Sequence, residues 1–240
     1  MADLELLPDH EFTRVLCVVA HPDDMEYGAS AAVHRWTQAG VEVAYLLLTS
    51  GEAGMQSPPD VVGPLRALEQ RQACDAVGVS ELTILDHPDG MLQPDLDLRR
   101  SIAREIRRFR PDVVVTGTWE EEVDWGLNQA DHRAAGLATL DACRDADNTW
   151  VFPELAADEG LAKWGPSWLL VHGHTRPTHG VELADADVAA AVASLSAHKA
   201  YLADLPDHPQ PADFIPGMLQ GQGQALGSAH AMLFRAHRLR

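Results

Sequence analysis

The sequence predicts an α/β fold in which helices flank a mostly parallel β-sheet, followed by an irregular α+β C-terminal part. Short apolar runs have the length of buried strands, at about 14–20, 41–49, 82–85 and 111–117. Segments with the apolar spacing of helices alternate with these runs through about Cys143. Such alternation is typical of a parallel sheet that helices cover on both faces. We expect one domain over residues 1–240, with a core at about 12–145 and a C-terminal elaboration at about 146–240.

The predicted helices follow from their apolar faces and their end signals. The first places Val33 and Trp36 on one face and stops at Gly40. Pro64 favours the first turn of the next helix. Two more helices are expected at about 97–110 and 129–143. In the C-terminal part the patterns predict two strands, at 168–172 and 181–184, and a long helix at 185–202. A proline-rich loop at 204–217 and a last helix from 222 to the end are expected to follow.

Composition and charge exclude several classes of function. The chain has 36 acidic and 18 basic residues, which gives a formal net charge of −18. Such a surface repels phosphate backbones and anionic lipids, so we expect neither nucleic acid nor membrane as a partner. No apolar run approaches the roughly 20 residues that a membrane-spanning helix needs. The sequence leaves a homo-oligomer open.

The cysteines and the N-terminal residues bear on location. Cys17, Cys74 and Cys143 are scattered, and no C-x-x-C pair is present, which favours reduced thiols. Residues 1–8 lack a basic stretch followed by an apolar one, so no signal peptide is predicted. We therefore expect a cytoplasmic protein.

The stretch Ala20-His21-Pro22-Asp23-Asp24-Met25-Glu26 directly follows the first predicted strand. Taken alone, His-Pro-Asp-Asp fits a turn, with Pro22 fixing φ and an aspartate capping the next helix. Imidazole and carboxylate are also the ligand types of catalytic zinc sites. The position at the end of a buried strand favours the ligand interpretation. A second His-Pro-Asp triplet at 87–89 is followed by Gly90, so we interpret it as a turn.

The topology brings a distant histidine to the same place. In doubly wound sheets of order 3-2-1-4-5, ligands bind in the crevice between strands one and four, beyond their carboxyl ends. His21 and Asp24 follow strand one, and His132 follows strand four. We predict that these three residues hold Zn²⁺, which would activate a water molecule and polarise an amide carbonyl. Asp23 would accept the proton of the water and pass it to the leaving amine.

These residues resemble the PIG-L/LmbE-like zinc-dependent N-acetylglucosaminyl deacetylases. The family's A-H-P-D-D-x-E motif matches residues 20–26, its second loop resembles residues 49–52, and its third motif resembles Asp131-His132-Arg133 with Gly136. The resemblance implies a Rossmann-like fold, and removal of an acetyl group from a small molecule that contains N-acetylglucosamine. It implies zinc as cofactor, held by His21, Asp24 and His132, and Asp23 as the general base. It also implies substrate contacts by Arg66, Thr49 and Asp131.

One position departs from the family pattern. Members typically carry H-P-D-H in the third motif, where the first histidine helps to stabilise the oxyanion, whereas this chain has Gln129-Ala130-Asp131-His132. Gln129 can donate a hydrogen bond but cannot carry a proton charge. A lost oxyanion donor costs about 10²–10³ in rate. Gln129 is therefore our candidate for the catalytic donor, with His172, His174 and His198 as substitutes.

Two other functions remain open at this point. One is an amidase that acts on thiol conjugates of the mycothiol type. The other is a non-catalytic protein that binds a metal or a sugar in the same crevice, which the change at Gln129 favours. A nucleotide-binding dehydrogenase fits less well, because no G-x-G-x-x-G follows the first strand and because the acidic residues there would repel a pyrophosphate.

Overall fold

A computed structural model describes residues 4–240, and within this range one sheet has eight strands. The strands of this sheet are β1 Glu5–Leu6, β2 Arg14–Val19, β3 Glu42–Leu47, β4 Glu81–Ile84, β5 Val113–Gly117, β8 Trp168–His172, β9 His179–Glu182 and β10 Ala231–Arg238. A separate hairpin consists of β6 Glu122–Val123 and β7 Gly126–Leu127. The helices are α1 Asp24–Tyr27, α2 Ser30–Gln38, α3 Pro59–Ala76, α4 Leu96–Phe109, α5 Ala130–Ala146, α6 Glu154–Ala157, α7 Asp185–Ser196, α8 Lys199–Ala203 and α9 Pro211–Leu226.

The strand order is β4-β3-β2-β5-β8-β10-β9-β1, and the first five of these strands are parallel. β10 runs antiparallel to both β8 and β9, while β1 is parallel to β9. The α/β fold with a mostly parallel sheet is therefore confirmed. So is the expected order of its first four strands, with β2 beside β5 at the point where the order reverses.

Alternate residues of β2 divide the core into two layers. Val15, Cys17 and Val19 pack toward α2, α7 and α9. Leu16 and Val18 point to the other face, where α4 and α5 pack against each other and against the sheet. Both faces are apolar because helices cover both. β2 is therefore buried along its length, and only its carboxyl end opens into a crevice.

The C-terminal predictions need three corrections. The predicted loop at 204–217 contains the start of α9, which runs from Pro211 to Leu226. The predicted last helix is wrong, since α9 ends at Gly227 (φ 86°) and β10 follows. β10 forms because it has a strand partner on each side, and Met232 and Phe234 alternate into the core. The predicted helix 185–202 is broken at His198, whose side chain is buried against Glu26.

Smaller differences concern α3 and the acidic loop. α3 begins at Pro59, which takes the first-turn position predicted for Pro64. The loop after β5 contains the hairpin β6–β7, which the sequence did not indicate. The division into a core of about 12–145 and a C-terminal part stays a prediction, although β8, β9 and β10 extend the same sheet. Among the described residues, no helix has the length and apolar character required to cross a bilayer.

Candidate metal centre

The turn after β2 positions the first group of functional side chains. Pro22 and Asp23 are its central residues, and the Asp24 N–H donates to the His21 carbonyl at 3.4 Å. Asp23 has φ 90° and ψ −21°, in the left-handed region that non-glycine residues rarely adopt. The His21 N–H donates to Asp24 Oδ2 at 2.9 Å, which fixes the Asp24 carboxylate beside the His21 ring. The left-handed backbone of Asp23 costs about 1–3 kcal/mol, and strained residues of this kind are concentrated at functional sites.

The structure brings the three predicted metal ligands together. His132 lies in the first turn of α5, and its Nε2 is 3.0 Å from Asp24 Oδ1. On the other side, His21 Nδ1 is 3.6 Å from Asp24 Oδ2. The two imidazole rings meet edge to face with centroids 5.2 Å apart. One ligand atom from each residue lies within 4.8 Å of the others, so the three can share a metal ion.

Protein partners hold the outer nitrogen of each ring. His132 Nδ1 lies 3.2 Å from Asn128 Oδ1. The Asn128 amide donates to the carbonyls of Thr118 and Glu120, so its oxygen must face the ring and His132 Nδ1 is the donor. His21 Nε2 lies 2.9 Å from Asp89 Oδ1. Each ring therefore turns its remaining nitrogen toward Asp24. Outer partners fix the orientation of metal-binding histidines in the same way.

A second group of side chains, His21, Asp89 and Asp131, also has the spacing of metal ligands. Its carboxylates are already occupied, because Asp131 accepts the N–H groups of Gly90 and Leu92, at 2.7 and 3.1 Å. Asp89 Oδ2 accepts the Ala53 N–H at 2.8 Å. His21 is common to both groups and has one nitrogen for each. The contacts therefore favour Asp89 and Asp131 as supports of His21, while the substrate-binding role of Asp131 stays a prediction.

The charges of the cluster reinforce one another. Burial lowers the pKa of His21, but Asp24, Asp131 and Asp89 outweigh it and raise that pKa to about 12. Burial also lowers the pKa of His132, but the Asp24 carboxylate outweighs this effect and raises that pKa. Burial raises the pKa of Asp24, yet the two histidines hold it well below its ordinary value. A cation bound among these groups would take the place of histidine protons.

Asp23 lies beside the cluster in a different environment. Burial raises its pKa to about 6, against the opposing effect of Arg66, whose Nη2 is 3.2 Å from the Asp23 carboxylate. The Asp23 N–H donates to Gln70 Oε1 at 3.0 Å, and the Gln70 amide donates to Glu26 at 3.2 Å. This chain of hydrogen bonds explains the last residue of the A-H-P-D-D-x-E motif: Glu26 is buried and supports the turn from behind. A carboxylate with a pKa near neutrality suits proton transfer.

The other predicted site residues take different places. Arg66 is 3% exposed, stacks on the Tyr201 ring at 4.2 Å and donates to the Pro22 carbonyl at 2.6 Å. Thr49 is buried, and its hydroxyl donates to the Ala20 carbonyl. Both residues thus shape the loops around the turn, and their contacts with a substrate stay predictions. Gln129 precedes α5, where it is exposed and lines the cavity over the cluster.

The three candidate histidines are separated by their surroundings. His198 is fully buried, with Nε2 3.6 Å from Glu26, and it does not line the cavity. His174 lines the cavity, but its Nδ1 is 3.1 Å from Glu120. His172, at the end of β8, lines the cavity with an Nε2 that has no hydrogen-bond partner among the described residues. Burial lowers its pKa to about 4, so His172 is neutral.

Sequence reasoning missed two supporting residues. Asp89 lies in the triplet that we interpreted as a turn, after β4 at the same edge of the sheet as His21. Its position after a parallel strand was a usable signal. Asn128 precedes the third motif by one residue, and only its contact with His132 identifies it. Both contact a candidate histidine ligand, and a search for ligand types alone does not detect such a partner.

Comparisons with known proteins agree with this geometry. Diacetylchitobiose deacetylase from Thermococcus kodakarensis is 31% identical over 140 residues, 56% of this chain and 51% of that protein. N,N'-diacetylchitobiose deacetylase from Pyrococcus horikoshii superposes with a TM-score of 0.85 at 21% identity, over 96% of this chain and 86% of that one. The hydratase GalB from Pseudomonas putida, which acts on 4-carboxy-2-hydroxymuconate, has a TM-score of 0.72 at 17% identity, over 95% and 97%. At such identities the structural likeness shows the fold alone.

The chain spans about half the length of the curated relatives it matches. The matched family is described as PIG-L: GlcNAc-PI de-N-acetylase, and the match runs over residues 16–143, more than half of the chain. That range holds the turn after β2, the triplet after β4 and the start of α5, which together form the cluster described above. The chain therefore belongs to the PIG-L (GlcNAc-PI de-N-acetylase) family.

Proposed function

We propose that this chain is a zinc-dependent deacetylase that hydrolyses the N-acetyl amide of a small molecule containing N-acetylglucosamine. The observation that carries the proposal is the convergence of His21 Nδ1, Asp24 and His132 Nε2 beside the buried carboxylate of Asp23. Two imidazoles and one carboxylate are a ligand set of catalytic zinc. The names of the relatives support the substrate class, since the first is a diacetylchitobiose deacetylase.

The ligand set fits zinc for a reason specific to this chain. Asn128 and Asp89 occupy the outer ring nitrogens of His132 and His21, which leaves one nitrogen of each ring for a metal. When bound there, zinc would supply Lewis acidity to the amide carbonyl and to the attacking water. Proton transfer and stabilisation of the oxyanion are the work of side chains.

Asp23 performs the proton transfers in this proposal. Its carboxylate takes a proton from the water that attacks the amide carbon, and returns it to the nitrogen as the carbon–nitrogen bond breaks. The products are acetate and a free amine. A pKa of about 6 leaves Asp23 mostly ionised at neutral pH and still able to return the proton. Arg66 and the Gln70 hydrogen bond hold Asp23 in its left-handed conformation for this role.

Gln129 supplies a neutral hydrogen bond to the oxyanion. It is exposed at the wall of the cavity and makes no side-chain cap to α5, so its amide is free to face a substrate. His172 is the alternative donor, because it lines the cavity and its Nε2 has no hydrogen-bond partner among the described residues. Replacing each with alanine separates them: loss of the true donor costs about 10²–10³ in kcat, and loss of the other costs much less. Equal small effects would remove both from this role.

Metal analysis together with amine release tests the proposed function. We expect about one zinc per chain after purification without chelator, and release of free amine from N-acetylglucosamine derivatives. Asp24→Asn is expected to lose zinc and activity together. Zinc-loaded protein that releases no amine from a broad panel of N-acetylated sugars would contradict the deacetylase and favour a binding protein. Selective turnover of thiol conjugates would instead favour the amidase alternative.

The three cysteines are free thiols and are buried, which supports a cytoplasmic location as part of the proposal.

A further inference from the structure

The cavity over the histidine–aspartate cluster continues well beyond it. Its volume is about 1090 Å³, the upper end of the roughly 300–1,000 Å³ of pockets for drug-sized ligands. His21, Asp24 and His132 line one end, whereas the other end is formed by α8, α9, β10 and the loop between α8 and α9. A single acetylated sugar at the cluster would leave this second end unfilled.

The walls of the second end are mainly apolar. We call it the apolar chamber, and define it by the side chains of Tyr27, Leu205, Phe214, Met218, Met232 and Leu233. Two of the nearby polar groups are paired within the protein. The Tyr27 hydroxyl lies 2.7 Å from His208 Nε2, and the Leu233 N–H donates to Gln222 Oε1 at 2.7 Å. The chamber therefore presents mostly carbon to an occupant.

Helix α9 carries two apolar stripes. Ile215 and Leu219 point into the core and are 1% exposed. Phe214 and Met218 lie one residue earlier in each turn, are only partly buried and face the cavity. Gly221 continues this second stripe, and a Cβ at this position would meet no atom within 4 Å. Phe214 and Met218 pack at the edge of the core, and the sides that they turn to the cavity extend its apolar wall.

We propose, on the basis of the deacetylase function, that the substrate carries an alkyl or aryl group of several carbons and that this group fills the apolar chamber. The chamber is continuous with the cluster, so one molecule can place its amide beside Asp23 and its apolar group in the chamber. The apolar group is attached either as a longer N-acyl chain or through the anomeric oxygen of the sugar. A second, polar sugar would bring hydroxyl groups to walls that are mainly apolar.

Two substrate series test the proposal and separate the two attachments. One series consists of N-acylglucosamines from acetyl to octanoyl, and the other of alkyl glycosides of N-acetylglucosamine from methyl to octyl. Burial of each methylene contributes about 0.8 kcal/mol, so we expect kcat/KM to rise roughly fourfold per methylene in one series. The series that rises identifies the position of the apolar group. No rise in either series, with acetyl removal intact, would overturn the proposal.

A pair of glycine variants assigns the effect to the chamber. Gly221→Leu places four carbons in the chamber, and Gly217→Leu places the same side chain one helical turn earlier, outside the cavity. Neither glycine has a positive φ, and leucine favours a helix, so both variants are expected to fold. We expect Gly221→Leu to lower the ratio of kcat/KM for the longest chain over the shortest by at least about tenfold. Gly217→Leu should keep the wild-type ratio, and the same ratio in both variants would contradict the assignment.

A binding measurement keeps this test independent of catalysis. Alkyl glucosides carry the apolar group without an amide, and calorimetry should show their Kd falling by up to about fourfold per methylene, less so in Gly221→Leu. If no amide in either series is hydrolysed but alkyl glucosides bind in this way, the result contradicts the deacetylase function and supports an apolar ligand in the chamber. If amides are hydrolysed but chain length changes neither kcat/KM nor Kd, the chamber fails and the deacetylase function stands.

Discussion

The tripeptide His-Pro-Asp follows two parallel strands of the sheet, and its side chains make different contacts in the two places. After β2, His21 and Asp24 face His132, and Asp23 lies beside them under Arg66. After β4 it is the aspartate that turns inward: Asp89 contacts the outer nitrogen of His21 at 2.9 Å. His87 does not line the cavity. One triplet thus carries the candidate ligands and base, and the other contacts them from outside.

A shift of one residue in the turn produces this difference. In the first triplet the turn closes from the His21 carbonyl to the Asp24 N–H, so the left-handed residue is Asp23 itself. In the second it closes from the Pro88 carbonyl to the Met91 N–H, and the left-handed residue is Gly90, with φ 80°. Glycine adopts this conformation without steric cost, whereas an aspartate does not. The strain therefore lies only in the turn that carries the proposed base.

The comparison teaches that topology and the following residue give a motif its role. Both aspartates have side chains that are 7% exposed, so burial alone does not separate them. What separates them is charge. Burial raises the pKa of Asp23 to about 6, whereas His21 overcomes the effect of burial on Asp89 and lowers its pKa. A carboxylate that stays ionised orients a histidine, and one that titrates near neutrality can transfer a proton.

The largest expected effect comes from Asp23→Asn. Asparagine has the same shape and tolerates a positive φ, so the turn should persist. We expect kcat to fall by about 10²–10⁴, the usual contribution of a general base, while zinc content stays at the wild-type level. Activity and metal content measured on the same preparation check this. Zinc loss in Asp23→Asn would mean that Asp23 is a ligand, and unchanged kcat would mean that it moves no proton.

Asp89→Asn tests the supporting triplet and should have a smaller effect. The amide cannot accept the His21 proton as strongly, so His21 becomes a weaker and less oriented ligand. Loss of such an outer partner typically costs 10–100-fold in metal affinity, and a competition titration with a chromophoric chelator would measure it. Asp86→Asn, at an exposed position of the same segment, is the matched control and should bind zinc normally. Equal affinities in the two variants would contradict the orienting role of Asp89.

The convergence of the three candidate ligands could be predicted because the segments that carry them follow neighbouring parallel strands. The apolar runs gave β2, β3 and β5 correctly, and the order of a doubly wound sheet placed His21 beside His132. Asp89 follows the same rule but was set aside, because no second carboxylate follows it. Its role depends on a turn shifted by one residue, which a pattern of residue types does not reveal.

The C-terminal part was less predictable for a different reason. The residues of β10 fall within the predicted last helix, and the pairing of this segment with both β8 and β9 makes it a strand. The break at His198 depends on burial against Glu26, which is 172 positions away in the chain. Tertiary partners override local preference in both places. Most walls of the apolar chamber come from this part, so the chamber could not be predicted.

Gly90→Ala tests the backbone difference between the two turns. The Cβ would meet no atom within 4 Å, so its only cost is the left-handed conformation. We expect the free energy of unfolding to fall by about 1–2 kcal/mol in urea titrations. The control is Gly217→Ala, which also has open space but lies in α9 without a positive φ, and it should be neutral or stabilising. If both substitutions have the same effect, the second turn does not depend on glycine.

The smallest effect is expected at His87, where the comparison is sharpest. Sequence alone gives His21 and His87 the same neighbours, yet only His21 has a carboxylate on each side. We expect His87→Asn to change the free energy of unfolding by less than about 0.5 kcal/mol, as for an ordinary surface position, and to leave zinc content unchanged. His21→Asn, the matched substitution, should abolish zinc binding because it removes a ligand and isolates three carboxylates from their partner. Zinc loss in His87→Asn would place a metal ligand in the triplet after β4, and the two triplets would then be equivalent in function.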